Sequence, residues 1–80
     1  MPPIPQNHTS VGFVAIGQRL RERRKSLRLT QRELAAYAEL SHNTIYKIER
    51  GQANPTLGVL LKLADVLGLE LSLQAKQLPR

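Results

Sequence analysis

Eighty residues, twelve Lys and Arg against six Asp and Glu, a net charge of +6 and no cysteine set the first limits. A chain this short makes one domain that buries only about 60% of its unfolded surface, so it leans on outside support, and a partner chain is the support left once disulfides and thiolate metal sites are excluded. His8 and His42 have no ligand spacing, no apolar run reaches the ~20 residues that span a bilayer, and the cationic excess favours polyanions, nucleic acid foremost.

Taken in chain order, residues 1–9 hold Pro2, Pro3 and Pro5 among polar residues and read as a flexible tail. Ser10 is a candidate cap for a first helix whose Phe13, Ile16, Leu20 and Leu27 recur at helical spacing. That helix ends near Leu27, where Arg23, Arg24 and Lys25 complement the negative end of its dipole. Thr30-Gln31-Arg32-Glu33 is a capping box, which predicts a second helix over Gln31 to Ala38 with Leu34, Ala35 and Ala38 inward. Ser41 caps a third helix, His42 to about Arg50, with Ile45 and Ile48 inward, and Gly51 stops it. Thr56 starts a fourth helix after the Gly51-Gln52-Ala53-Asn54-Pro55 loop. Its Leu57, Leu60, Leu61, Ala64 and Leu67 are expected in the core, and Gly68 ends it. From Leu69 to Ala75 apolar and polar residues alternate with a period of two, the signature of a strand over residues 69–76, and residues 77–80 read as a frayed end.

Two short helices with about three residues between them cannot pack antiparallel and must cross steeply. The crossing needs a small residue where the backbones meet, which Ala35 supplies, and apolar contacts, which Leu34, Ala38, Leu40, Ile45 and Ile48 supply. Leu29-Thr30-Gln31, Leu34-Ala35, Ile45, Glu49-Arg50-Gly51 and Asn54-Pro55 together resemble the phage-repressor helix-turn-helix family of the Xre or Cro type, over roughly Ile16 to Leu67. The resemblance implies an all-α, four-to-five-helix domain. With no nucleophile–base set, metal cluster or phosphate-cradling glycine loop, neither an enzyme nor a cofactor is expected. With no basic region followed by an apolar stretch at the amino end, the expected location is the cytoplasm, on the nucleoid. The resemblance places the third helix in the major groove of double-stranded DNA. His42, Asn43 and Lys47 fall on the base-reading positions, with Thr44 and Tyr46 beside them. Asn pairs with adenine N6 and N7, and Lys and His can donate to guanine O6 or N7. Gln31 matches a phosphate-contacting position, Arg32 and Arg50 are further phosphate candidates, and Arg24 with Glu49 matches a buried structural ion pair. Arg19, Arg21 and Lys25 read as a solvated face. Arg28 and Glu39 depart from the family, which commonly has glycine there, and a side chain at a positive-φ turn costs roughly 1–2 kcal/mol.

A lone strand leaves its backbone groups unpaired, and no other segment reads as one. The expected remedy is antiparallel pairing of residues 69–76 with a second copy, through Leu69, Leu71, Leu73 and Ala75. Such a homodimer would present two third helices to half-sites about 34–36 Å apart in a palindromic operator. A helix-turn-helix followed by Leu-Glu-Leu-Ser-Leu is similar to the HipB-type antitoxins. That resemblance implies a repressor of its own toxin–antitoxin operon with a HipA-type serine/threonine kinase toxin as partner. The alternative is a stand-alone Xre-type regulator with no toxin.

Overall fold

The computed structural model describes residues 7–75 and is all-helical, in the order α1 (Asn7–Ser26), α2 (Gln31–Ala38), α3 (His42–Glu49) and α4 (Leu57–Leu67). Helix α1 begins three residues upstream of the expected cap, so Ser10 lies inside it and residues 1–6 of the expected tail fall outside the described residues. The last proline of the segment is Pro5, so every residue from Asn7 onward keeps the N–H a helix needs.

The inward line of α1 runs through half-buried Phe13, then Gly17, Leu20 and Arg24. Ile16 and Leu27, both expected inside, are 40% and 41% exposed. The displaced phase has a local cause: α3 approaches α1 over Gly17, where an added Cβ would lie 2.3 Å from the Ile48 carbonyl oxygen. A residue with no side chain marks the closest contact, and an apolar-spacing argument cannot see it.

Both helices of the central pair start as their caps dictate. Thr30 Oγ1 accepts from the Glu33 N–H at 3.0 Å and Glu33 Oε1 accepts from the Thr30 N–H at 2.9 Å, closing the capping box. The Thr30 N–H, and then its hydroxyl, hold the Glu33 carboxyl below the usual carboxylate range. The capping contribution is therefore complete above the unfolded-state value and fades as pH falls through the depressed one. Ser41 caps α3 by accepting from the Thr44 N–H at 3.1 Å, and Thr56 caps α4 by accepting from Val59 at 3.1 Å.

Arg28 and Glu39 occupy the turns after α1 and α2 with φ of 58° and 56°, as the departure from glycine foretold. Each turn is held by the next residue reaching back, Leu29 N–H to Arg24 O at 3.1 Å and Leu40 N–H to Ala35 O at 2.8 Å. The left-handed backbone at these two positions costs about 1–2 kcal/mol apiece.

Leu34, Ile45, Leu63 and Leu67 are the largest fully buried side chains, with Leu20, Ala35, Ala38 and Ile48 around them. Leu63 is an addition to the expected core, and two expected members leave it. Leu57 is 66% exposed and Leu61 50%. Apolar residues surround α4 on nearly every side, so the sequence pattern does not fix its phase; the packed line is Leu60-Leu63-Ala64-Leu67, and Leu61 sits about 100° away from Leu60.

Gly68 ends α4 at φ 66°, Leu69 donates back to Ala64 O at 2.8 Å, and Arg23 Nε donates to the Leu67 carbonyl at 2.7 Å. Residues 69–75 form neither helix nor strand, so the strand expected over residues 69–76 is not found among the described residues, none of which offers it a strand to pair with; Lys76 with residues 77–80 lies outside them. The expected stripe of Leu69, Leu71, Leu73 and Ala75 divides. Leu69 is half-buried against its own core, since the Gly68 turn points it back between α1 and α4. Leu71 is 44% exposed, Leu73 projects fully, and Ala75 is exposed. With Leu57 and Leu61, Leu71 and Leu73 line an open apolar groove of about 300 Å³.

Candidate nucleic-acid interface

Helix α3 buries Ile45, Ile48 and Glu49, which fixes the rotation of everything else on it. His42, Asn43, Tyr46, Lys47 and Arg50 remain exposed at positions i, i+1, i+4, i+5 and i+8, a single outward face. Thr44 is not part of that face. It is half-buried at the start of the helix, and its hydroxyl lies 2.7 Å from Ser41 Oγ.

Beneath this face lies a chain of polar contacts. Arg24 Nε donates to Glu49 Oε2 at 2.6 Å and Arg24 Nη2 to Glu49 Oε1 at 2.9 Å, a bidentate pair whose side chains are 9% and 2% exposed. The third guanidinium nitrogen, Arg24 Nη1, donates to the Leu29 carbonyl at 2.7 Å and ties the α1–α2 turn to the pair. Glu49 Oε1 also accepts from Gln31 Nε2 at 3.0 Å, and Gln31 Oε1 lies 3.1 Å from His42 Nε2. Among the described residues no buried side-chain nitrogen or oxygen lacks a partner. The expected ion pair is thus present, and Gln31 does more than its sequence position suggested, spanning from the buried pair to the first residue of α3. Its second Nε2 hydrogen is left for an outside acceptor.

Near the other end of α3, the Arg50 guanidinium carbon sits 5.3 Å from the centre of the Tyr46 ring, a cation–π contact that stiffens both side chains. Arg21, Gln31, Tyr46, Glu49 and Arg50 line one hollow of about 110 Å³. Arg21 was assigned to a solvated face, yet it stands beside the α3 residues. The signal lay in its spacing, one helical turn from both Gly17 and Arg24 on the side of α1 that meets α3. Arg32 is exposed in the first turn of α2.

Two short capped helices, a polar outward face on the second and a buried ion pair under it define a helix-turn-helix of the kind that engages nucleic acid. Comparison with known proteins gives the family. Residues 20–74 match the helix-turn-helix family, and the chain belongs to it. It is 36% identical to a protein of Methanococcus vannielii named as an HTH-type transcriptional regulatory protein, over 89% of this chain and 22% of that one. It is 41% identical to the immunity repressor protein of Bacillus phage phi105, over 74% of this chain and 41% of the repressor. The chain therefore spans between about a fifth and two fifths of the length of these relatives. Among solved structures, the restriction-modification controller protein C.AhdI from Aeromonas hydrophila superposes with a TM-score of 0.72 at 42% identity, covering 75% of this chain and 91% of that one. No helix among the described residues is long and apolar enough to cross a membrane.

Proposed function

We propose that the protein is a sequence-specific transcription regulator that reads the DNA major groove with α3 and performs no catalysis. The observation that carries this is the exposed His42, Asn43, Tyr46 and Lys47 face, held on the buried Arg24–Glu49 pair and the half-buried Gln31 bound to it. Asn43 and Lys47 supply base-edge hydrogen bonds. Lys47 can donate but not accept, so it selects the acceptor atoms of guanine, whereas the amide of Asn43 suits adenine. Gln31, Arg32, Arg50 and Arg21 flank the face and hold phosphates, Gln31 through its free amide hydrogen. Tyr46 braces Arg50 and offers its ring edge to a thymine methyl. A neutral or anionic chain would gain little from the phosphates; this one carries +6.

A selected duplex tests the proposal. The logarithm of affinity should fall linearly with the logarithm of salt concentration, by a slope of about −0.9 for each phosphate neutralised. Asn43→Ala and Lys47→Ala should each lose about 1–3 kcal/mol for the selected site and little for scrambled DNA, measured by fluorescence anisotropy. Unchanged sequence preference in both variants refutes groove reading by α3.

Two copies acting together is part of the same proposal. Leu57, Leu61, Leu71 and Leu73 form an apolar surface on one side, and Leu73 leaves its whole side chain in water. Burial of a leucine is worth about 1.5–3 kcal/mol, and an extended segment with unpaired backbone groups gains most from a copy of itself. Leu69 contributes from inside its own subunit by fixing where the segment leaves the core, and Ala75 extends the pairing edge. Leu73→Lys should shift the molecule to monomers in light scattering and weaken binding to a palindrome more than to a half-site. A dimer that survives the substitution places the contact elsewhere. The antitoxin kinship and its kinase partner gain no support from relatives named as transcription regulators and repressors, and the stand-alone regulator is the reading proposed here.

A further inference from the structure

From the hydrogen-bond chain beneath α3 we infer that His42 reads its base through Nδ1 as an acceptor, and so takes the exocyclic amine of adenine or cytosine. The inference rests on the DNA-reading role proposed above and names the ligand group for one of its residues. It starts from Glu49, which is 5% exposed and bound bidentately by Arg24, and therefore presents only acceptors. Gln31 meets Glu49 Oε1 at 3.0 Å. If the Gln31 amide were turned over, its oxygen would face a carboxylate oxygen with no proton between them. The nitrogen must face Glu49, and the amide oxygen must face His42.

That orientation dictates the histidine. The contact between Gln31 Oε1 and His42 Nε2 is 3.1 Å, and an amide oxygen has no hydrogen to give. The proton in the contact belongs to His42 Nε2. A neutral imidazole with hydrogen on Nε2 has a bare lone pair on Nδ1, and among the described residues Nδ1 has no protein partner. In the major groove the amines of adenine N6 and cytosine N4 are donors, while guanine presents only acceptors. In the neutral ring the buried ion pair thus selects a tautomer two contacts away. The sequence alone pointed His42 toward guanine; the geometry reverses the direction of the hydrogen bond.

Long-range proton–nitrogen NMR on the full chain at mildly alkaline pH reads the tautomer without DNA. The expected spectrum has a protonated-type Nε2, a bare-type Nδ1 and an Nε2-bound proton slow enough in exchange to be seen, and this proton signal is lost in Gln31→Met. An Nδ1-protonated ring, or no difference between wild type and Gln31→Met, overturns the inference. On DNA, the base pair whose preference disappears in His42→Ala is the one contacted. Deleting its exocyclic amine, with purine for adenine or pyrimidin-2-one for cytosine, should weaken wild-type binding about fivefold to tenfold and leave His42→Ala unaffected. Replacing the purine with its 7-deaza form should change neither. Sensitivity to the 7-deaza base and indifference to the lost amine overturns the assignment. A chain that selects no sequence at all overturns the proposed function and the base assignment with it, whereas the NMR signal reports on the hydrogen-bond chain alone and separates the two failures.

Discussion

Arg24→Met should cost about 3–5 kcal/mol, the largest loss expected of any single polar substitution in this chain, because it strands a buried carboxylate. The Glu49 side chain is 2% exposed, and without Arg24 its remaining side-chain donor is the neutral amide of Gln31. The same substitution removes the donor to the Leu29 carbonyl, so the α1–α2 turn loses its tie. Small domains hold about 5–15 kcal/mol in total, so the variant should be close to half unfolded in mild urea, read as a drop in transition midpoint with an unchanged slope. The double variant Arg24→Met with Glu49→Leu separates charge burial from fold. Replacing a buried pair with apolar residues is often neutral, so most of the lost stability should return. DNA affinity should not return with it, since Gln31 then loses the carboxylate that orients its amide and His42 loses its fixed neighbour. Recovery of both stability and affinity would show that the pair serves the fold alone.

The features legible in the sequence were those written in local chemistry. Thr30, Ser41 and Thr56 cap three helices because each hydroxyl needs only a backbone N–H three residues on, a contact that sequence spacing determines completely. Arg28 and Glu39 were read correctly as residues at positive-φ turns through the family resemblance, because the family commonly has glycine at both places. Ile45 and Ile48 gave the inward side of α3, and the family resemblance gave the residues of its reading face. The Arg24–Glu49 pair, twenty-five residues apart, was visible through family resemblance and not through spacing.

What stayed hidden depended on which elements meet. The phase of α4 could not be read because leucines and valines on nearly all sides leave the hydrophobic pattern without a direction; contact with α1 and α2 picked Leu63 over Leu61. The alternation of Leu69 through Ala75 did not become a strand among the described residues, and the Gly68 turn sends its first leucine against the chain's own core. Gln31 was read as a phosphate ligand, and nothing in the sequence could show that both ends of its amide are already engaged. Arg21 was passed over because the sequence counts charges but not the helix that packs beside them.

Gly17→Ala should destabilise the protein by about 1–3 kcal/mol, against the usual preference of helices for alanine. In the middle of a helix that exchange ordinarily gains about 1 kcal/mol. Here the new methyl would stand 2.3 Å from the Ile48 carbonyl oxygen and 3.0 Å from that of Glu49. Both obstacles are backbone, and both belong to the last turn of α3, so no side chain can swing aside to relieve them. Either α1 and α3 separate by an ångström or so, opening the core at Leu20 and Ile48, or the end of α3 distorts; overpacking of this kind costs about 1–3 kcal/mol beyond the propensity gain it cancels. Gly12→Ala is the internal control, since a Cβ at Gly12 meets nothing within 4 Å, and it should raise stability by up to about 1 kcal/mol. Thermal melts of the pair should move in opposite directions, by about 4–8 °C per kcal/mol for a domain of this size. Because the displaced turn carries Glu49, the Gly17 variant should also loosen the Gln31–His42 contact and bind its selected duplex less tightly even at temperatures where it is fully folded. Equal and opposite behaviour of the two glycines in stability, with no change in DNA affinity for Gly17→Ala, would mean that α3 can shift on α1 without disturbing the reading face.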